Sequence, residues 1–189
     1  PGVGRERGAA LADRARAGVR VRLVRDWLGS LGGASHRFWR DLTAAGADVR
    51  VFNPPRIGSP LGWLSRDHRK TLTVDGAVAF VSGLCVSKRW LGDPKRGVPA
   101  WRDTGVEIRG PAVSFVERAF SEVWAVVGGR IPLEEVSDHE AQPTVGDVPV
   151  RVIASTPTSA ALFRMDQLIA SAAQQSLWLT DAYFVGFAP

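Results

Sequence analysis

The sequence predicts an α/β fold with a mixed β-sheet, and three observations carry that expectation. Short β-branched runs alternate with amphipathic stretches along the 189 residues. Two strand-like runs flank Asp75-Gly76, a dipeptide suited to a two-residue hairpin turn. Residues 111–127 place Val113, Val116, Phe120, Val123, Trp124 and Val127 on one face at helical spacing.

The elements follow in order. Residues 8–17 (GAALADRARA) read as the tail of a helix, and 19–24 (VRVRLV) alternate apolar and basic residues as a strand does. A helix is expected over 36–45, ended near Gly46, then a strand at 49–52. Residues 53–65 are rich in Pro, Gly and Ser and read as loop. The hairpin strands are expected at 68–74 and 77–81, another loop at 91–100 and a short strand at 106–108. In the helix at 111–127, Pro111 suits the first turn and Gly128-Gly129 the stop. Residues 130–149 are polar, acidic and Pro-containing, the composition of a linker. A β-α-β pattern restarts with strands at 150–153 and 177–180 around a helix at 159–174. The organisation expected is therefore a first lobe at 1–129, a linker at 130–149 and the beginning of a second, similar lobe at 150–189.

Composition narrows the function classes. The chain is 45% hydrophobic and 23% charged, ordinary for a globular domain. One cysteine, Cys85, excludes an intrachain disulfide and a Cys-rich zinc module. The net charge of +5 suits anionic partners, namely phospholipid headgroups, an acidic membrane surface or nucleic acid. Only Lys70, Lys88 and Lys95 are lysines, so arginine supplies most of the basicity, which genomic base composition alone also produces. No apolar run reaches the roughly 18 residues of a membrane span. The chain opens without Met and stops at Ala188-Pro189, as expected of a piece of a longer protein, and an anchor elsewhere stays open.

The chemistry concentrates at His68-Arg69-Lys70-Thr71-Leu72-Thr73-Val74-Asp75-Gly76. On a strand His68 and Lys70 project from the same face. A neutral imidazole can attack phosphorus, and a fixed ammonium can neutralise the non-bridging oxygens. Asp75 reads either as the turn residue of the hairpin or as a carboxylate paired with a nearby cation. The plainer reading of the whole stretch is a solvated strand end.

This stretch resembles the H-x-K-x-x-x-x-D signature of the phospholipase D superfamily. The blocks AGVRVRLVRDWLGS, FWRDLTAAGADVRVFNP, RDHRKTLTVDGAVAFVSGL and WRDTGVEIRGPAVSFVERAFSEVW resemble, in order, the first half of bacterial cardiolipin synthases, and VRVIASTPTSA with LWLTDAYFV the opening of their second half. The resemblance implies α-β-α sandwich lobes, two per enzyme, each giving one motif to a shared site. It implies His68 as nucleophile, Lys70 as phosphate clamp, and Asp103 as the carboxylate that orients the imidazole, against a surface ion pair with a neighbouring Arg. Asp75 completes the signature, and Ser82 and Gly83 are expected to bind the substrate phosphate. No cofactor and no metal are implied.

The expected activity is phosphatidyl transfer or phospholipase D hydrolysis through a phosphohistidine, on anionic phospholipid at a membrane surface. Nucleic acid is not the expected partner. The expected location is the bacterial cytoplasmic membrane surface or the cytoplasm. The second lobe of the same chain is expected to complete the site, so these 189 residues alone are expected not to turn over. A nuclease or other phosphodiesterase of the superfamily, and a non-catalytic binding member, are the alternatives. Cys85 keeps the last in play: it stands where relatives carry Asn, and a thiol cannot replace an amide donor.

Several other features read as ordinary. His36 and His139 read as loop or linker histidines. Gly29 to Gly33 lacks the spacing and lysine of a phosphate-binding loop. Leu61, Trp63 and Leu64 face either the core or acyl chains, and the remaining tryptophans are expected in the core.

Overall fold

A computed structural model of the chain describes residues 2–58, 64–85, 90–138, 140–156 and 159–180. The chain divides into two compact units, Pro1–Val150 and Arg151–Pro189. The first is mixed α/β.

Its N-terminal half is a helix followed by a β-α-β unit. Helix α1 (Val3–Arg16) buries Gly8 and Ala12 and stops before Gly18, whose φ of +86° suits glycine. Strand β1 (Arg22–Asp26) pairs in parallel with β2 (Asp48–Phe52), with Leu23 opposite Val49. Between them runs α2 (His36–Ala44), where the Ser35 hydroxyl accepts the Phe38 N–H at 3.2 Å, a side-chain N-cap. Ala12, Leu42, Ala45 and Ala47 form a small core, flanked by Leu23, Trp39 and Val49.

The second half is an antiparallel sheet under one helix. Strands β3 (Thr71–Val74), β4 (Val78–Ser82) and β5 (Gly105–Arg109) lie in sequence order. Asp75 (φ 53°) and Gly76 (φ 64°) are the centre of the β3–β4 turn, closed by Ala77 N–H donating to the Val74 carbonyl at 3.0 Å. Two successive positive φ values are what a primed hairpin turn demands. Helix α3 (Ala112–Val127) buries Val113, Val116, Val123 and Trp124, the expected stripe, and touches β2 as well as β3, β4 and β5. Arg50 of β2 ties the two halves together. Its guanidinium lies 3.7 Å from the Trp124 ring centroid and donates to the carbonyls of Trp124 (3.3 Å) and Gly129 (2.8 Å) at the end of α3.

The mixed pairing expected of one sheet is thus divided between a two-stranded parallel sheet and a three-stranded antiparallel one. The segment at 130–149 belongs to the first unit and is tied to its helix and strands. Glu135 pairs with Arg22 at 2.5 Å and with Arg20 at 3.5 Å, Ser137 N–H donates to Glu117 at 3.0 Å, and the Gln142 amide donates to the Gly76 carbonyl at 2.5 Å.

In the second unit the described element is α4 (Ala161–Ala172), which buries none of its residues. The stretches expected as strands at 150–153 and 177–180 form no strand among the described residues. A strand exists only when a neighbour supplies its hydrogen bonds, so apolar alternation alone does not make one. Of the tryptophans expected inside, Trp124 is 1% exposed, but Trp101 and Trp178 are 54% and 91% exposed. Among the described residues, no helix is long and apolar enough to cross a membrane.

Candidate active site

The antiparallel sheet has a covered face and an open one, and the distinction positions the site. Ala79 and Ile108, directly paired across β4 and β5, are buried. Leu72 and Phe80, directly paired across β3 and β4, are exposed. Side chains alternate along a strand, so Lys70, two residues before Leu72, belongs to the open face and Arg69 to the covered one. Arg69 obeys this alternation: its guanidinium donates to the Ala119 carbonyl of α3 at 3.0 Å. The named strand begins at Thr71, later than expected, yet Ser82 N–H donates to the Lys70 carbonyl at 3.1 Å, extending the pairing by one residue.

Lys70 therefore stands opposite Ser82, and Ser82 opposite Gly105, in one row across the end of the sheet. Gly105 adds no side chain, which leaves that row open. His68 precedes the row and is exposed. The Lys70 ammonium donates to the His68 carbonyl at 2.7 Å, so the cation sits beside the imidazole-bearing residue. The Ser82 hydroxyl accepts the Leu84 N–H at 3.3 Å. Its own hydroxyl hydrogen stays available to an anion.

Asp103 reaches the same end of the sheet, just before β5. A Cβ on Gly83 would lie 2.6 and 2.8 Å from its two carboxylate oxygens, so only glycine lets the carboxylate rest there. Trp90 Nε1–H donates to Oδ2 at 3.2 Å and Thr104 N–H to Oδ1 at 2.8 Å. Trp90 also packs against Trp101, with centroids 5.0 Å apart. The structure thus gives Asp103 an indole and a backbone donor, in place of the imidazole or the arginine considered from sequence. Among the described residues, no hydrogen bond reaches the His68 imidazole.

Asp75 lies at the opposite end of β3, on the order of 20 Å of extended chain from His68. Its positive φ fixes it as a turn residue, and it enters no ion pair among the described residues. The structure therefore brings together His68, Lys70, Ser82, Gly83 and Asp103 and leaves Asp75 apart. Cys85 sits just beyond this end of the sheet, its sulfur 3.9 Å from the Gly83 carbonyl. His36 is the exposed first residue of α2, and Leu64 is exposed, while Leu61, Trp63 and His139 lie outside the described residues. No three His, Cys, Asp or Glu side chains gather as a metal site among the described residues.

Sequence reasoning passed over Asp26. It ends β1 and pairs with Arg66 at 2.8 Å, two residues before His68. Forty residues separate the two in sequence, and no spacing rule links a β1 terminus to a later loop.

No family model and no solved structure matches the chain. Curated relatives do. A cardiolipin synthase of Geobacillus kaustophilus is 32% identical over 189 residues, which cover 97% of this chain and 37% of that protein. Cardiolipin synthase A of Pseudomonas fluorescens is 32% identical over 193 residues, covering 97% and 38%. A probable cardiolipin synthase of Bacillus subtilis is 30% identical over 178 residues, covering 93% and 35%. The chain spans a little over a third of the length of these relatives and is similar to them over nearly all of its own.

Proposed function

We propose that this cardiolipin-synthase-like chain carries the nucleophile half of a phosphatidyltransferase site acting on anionic phospholipid at a membrane surface. The observation that supports the reading most is the row of Lys70 and Ser82 across the sheet end, with His68 beside it, in a chain whose relatives at about a third identity are cardiolipin synthases. In this reading a ring nitrogen of His68 attacks phosphorus. The P–N bond forms as the bond to the departing glycerol oxygen breaks, and that oxygen takes a proton from a general acid. An acceptor alcohol, deprotonated by the same group, then attacks the phosphohistidine and releases the imidazole. With water as acceptor the outcome is hydrolysis.

Lys70 and the Ser82 hydroxyl offset the negative charge that the non-bridging oxygens gain. Gly83 leaves the room in which the Asp103 carboxylate rests, and Asp75 sets the hairpin that fixes the β3 register. The general acid must start protonated while the nucleophile starts neutral, so a second histidine is required. A second lobe of the same polypeptide is the proposed source. The chain is proposed to work at the bacterial membrane surface, where its +5 charge meets anionic headgroups.

The test offers the whole polypeptide phosphatidylglycerol vesicles and, separately, single-stranded DNA. Release of glycerol with formation of a diphosphatidylglycerol, which carries four acyl chains, is expected. Cleavage of DNA without lipid turnover would assign the chain to the nucleic-acid phosphodiesterases.

A further inference from the structure

His68 lies outside the ladder that begins at Thr71, so strand pairing alone does not fix its backbone. A half-buried carboxylate does that work from another sheet. The Asp26 side chain, 11% exposed, ends β1 and accepts three hydrogen bonds. Its Oδ1 accepts from Gly29 N–H at 2.6 Å and from Arg66 Nε at 2.8 Å, and its Oδ2 accepts from Asp67 N–H at 3.0 Å. The restraint continues along the chain. Asp67 Oδ1 accepts the Arg69 N–H at 3.3 Å, and the Arg69 side chain is anchored on α3 at 3.0 Å. The residues on both sides of His68 are therefore held, while its imidazole takes no hydrogen bond among the described residues.

We infer that Asp26 is a positioning residue for His68, clamping the segment at 66–67 so that the imidazole meets phosphorus in the attacking orientation. The inference rests on the proposed role of His68. Both oxygens of Asp26 face donors, two at Oδ1 and one at Oδ2. An asparagine has a single acceptor oxygen and must turn its NH₂ toward a donor on one side. Asp26→Asn thus preserves size while breaking one arm of the clamp. Misplacement of a reacting group by about 1 Å can cost about 10²-fold in rate, so a loss of about 10- to 100-fold in kcat is expected, with KM changed by less than about threefold.

The experiment compares the whole polypeptide with its Asp26→Asn, Arg66→Ala and Asp41→Asn variants. Asp41 pairs with Arg37 on the exposed side of α2, 3.6 Å away, and serves as the control. Turnover on phosphatidylglycerol vesicles is read beside millisecond amide hydrogen exchange. The inference expects a fall in kcat for Asp26→Asn, a smaller fall for Arg66→Ala and none for Asp41→Asn, with faster exchange confined to the β1 turn and residues 66–70. Unchanged kcat in folded Asp26→Asn overturns it. So does exchange that rises throughout the first unit, which marks general destabilisation. If the unmodified polypeptide turns over no phospholipid, the proposed function fails and exchange alone decides the clamp. Acceleration confined to those segments then upholds it, and unchanged exchange there overturns it.

Discussion

His68 and Lys70 are two residues apart, and the account gives them different tasks that mutagenesis separates. His68→Ala should abolish turnover of the whole polypeptide, because its imidazole is the group proposed to bond to phosphorus. Lys70→Ala should leave the nucleophile in place and remove charge stabilisation, lowering kcat by about 10²- to 10³-fold, the cost of one oxyanion-type donor. Steady-state kinetics on phosphatidylglycerol vesicles distinguishes the two. At this scale the sequence was informative about identity and weaker about contacts. The spacing of His68 and Lys70 implies a shared face, and the opposite course of Arg69 into α3 agrees with it. The partners of Asp103 were not legible, because Trp90 approaches from a separate loop and no local pattern encodes that meeting. The same holds for Asp26 and Arg66, which only the meeting of the two halves of the unit brings together.

Elements hold this site through α3 and the hairpin turn. Trp124 is almost fully buried, stacks on Phe120 with centroids 5.5 Å apart and lies under Arg50. Trp124→Ala should cost about 3–5 kcal/mol, read by denaturant unfolding, as large aromatic truncations in cores do. Gly76→Ala should cost about 1–2 kcal/mol from its positive φ alone, and more because the new methyl meets Ser137. A chevron analysis would place that loss. Periodicity revealed α3 and the Asp75-Gly76 turn because both signals are local. Strand ends were less legible: β1 and β3 each begin three residues later than expected, where a neighbouring strand first supplies partners. The runs at 150–153 and 177–180 are the limiting case, apolar stretches that enter no ladder among the described residues.

Across the whole molecule, the docked segment at 130–149 carries the pH dependence. A hydrogen bond from Arg22, aided by the charges of Arg22 and Arg20, holds the Glu135 carboxyl below the usual glutamate range against an opposing desolvation contribution. A carboxyl whose folded pKa is depressed contributes stability above its unfolded pKa, about 4.3, and loses it as pH falls through the lower folded value. The segment should therefore loosen below about pH 4, followed by exchange at residues 131–137. Glu135→Gln should flatten that acid limb because the segment is already looser at neutral pH, where the neutral amide lacks the charge that Arg22 and Arg20 hold. The linker composition of this stretch was legible in sequence, whereas its attachment to β1 was not, since Arg22 and Glu135 are 113 residues apart.

Charge stabilisation in this account comes from Lys70 and hydroxyl donors, so turnover by the whole polypeptide should survive exhaustive chelation. Loss of activity restored by one divalent ion would assign that task to a metal.

The central claim is that His68 becomes covalently bound to the phosphatidyl group. The most direct measurement quenches the whole polypeptide during turnover of phosphatidylglycerol and maps the adduct by mass spectrometry under alkaline conditions, where phosphohistidine persists. The account predicts a phosphatidyl mass on the peptide containing His68, absent from His68→Ala. An adduct on a different histidine, with His68 unmodified, would contradict it.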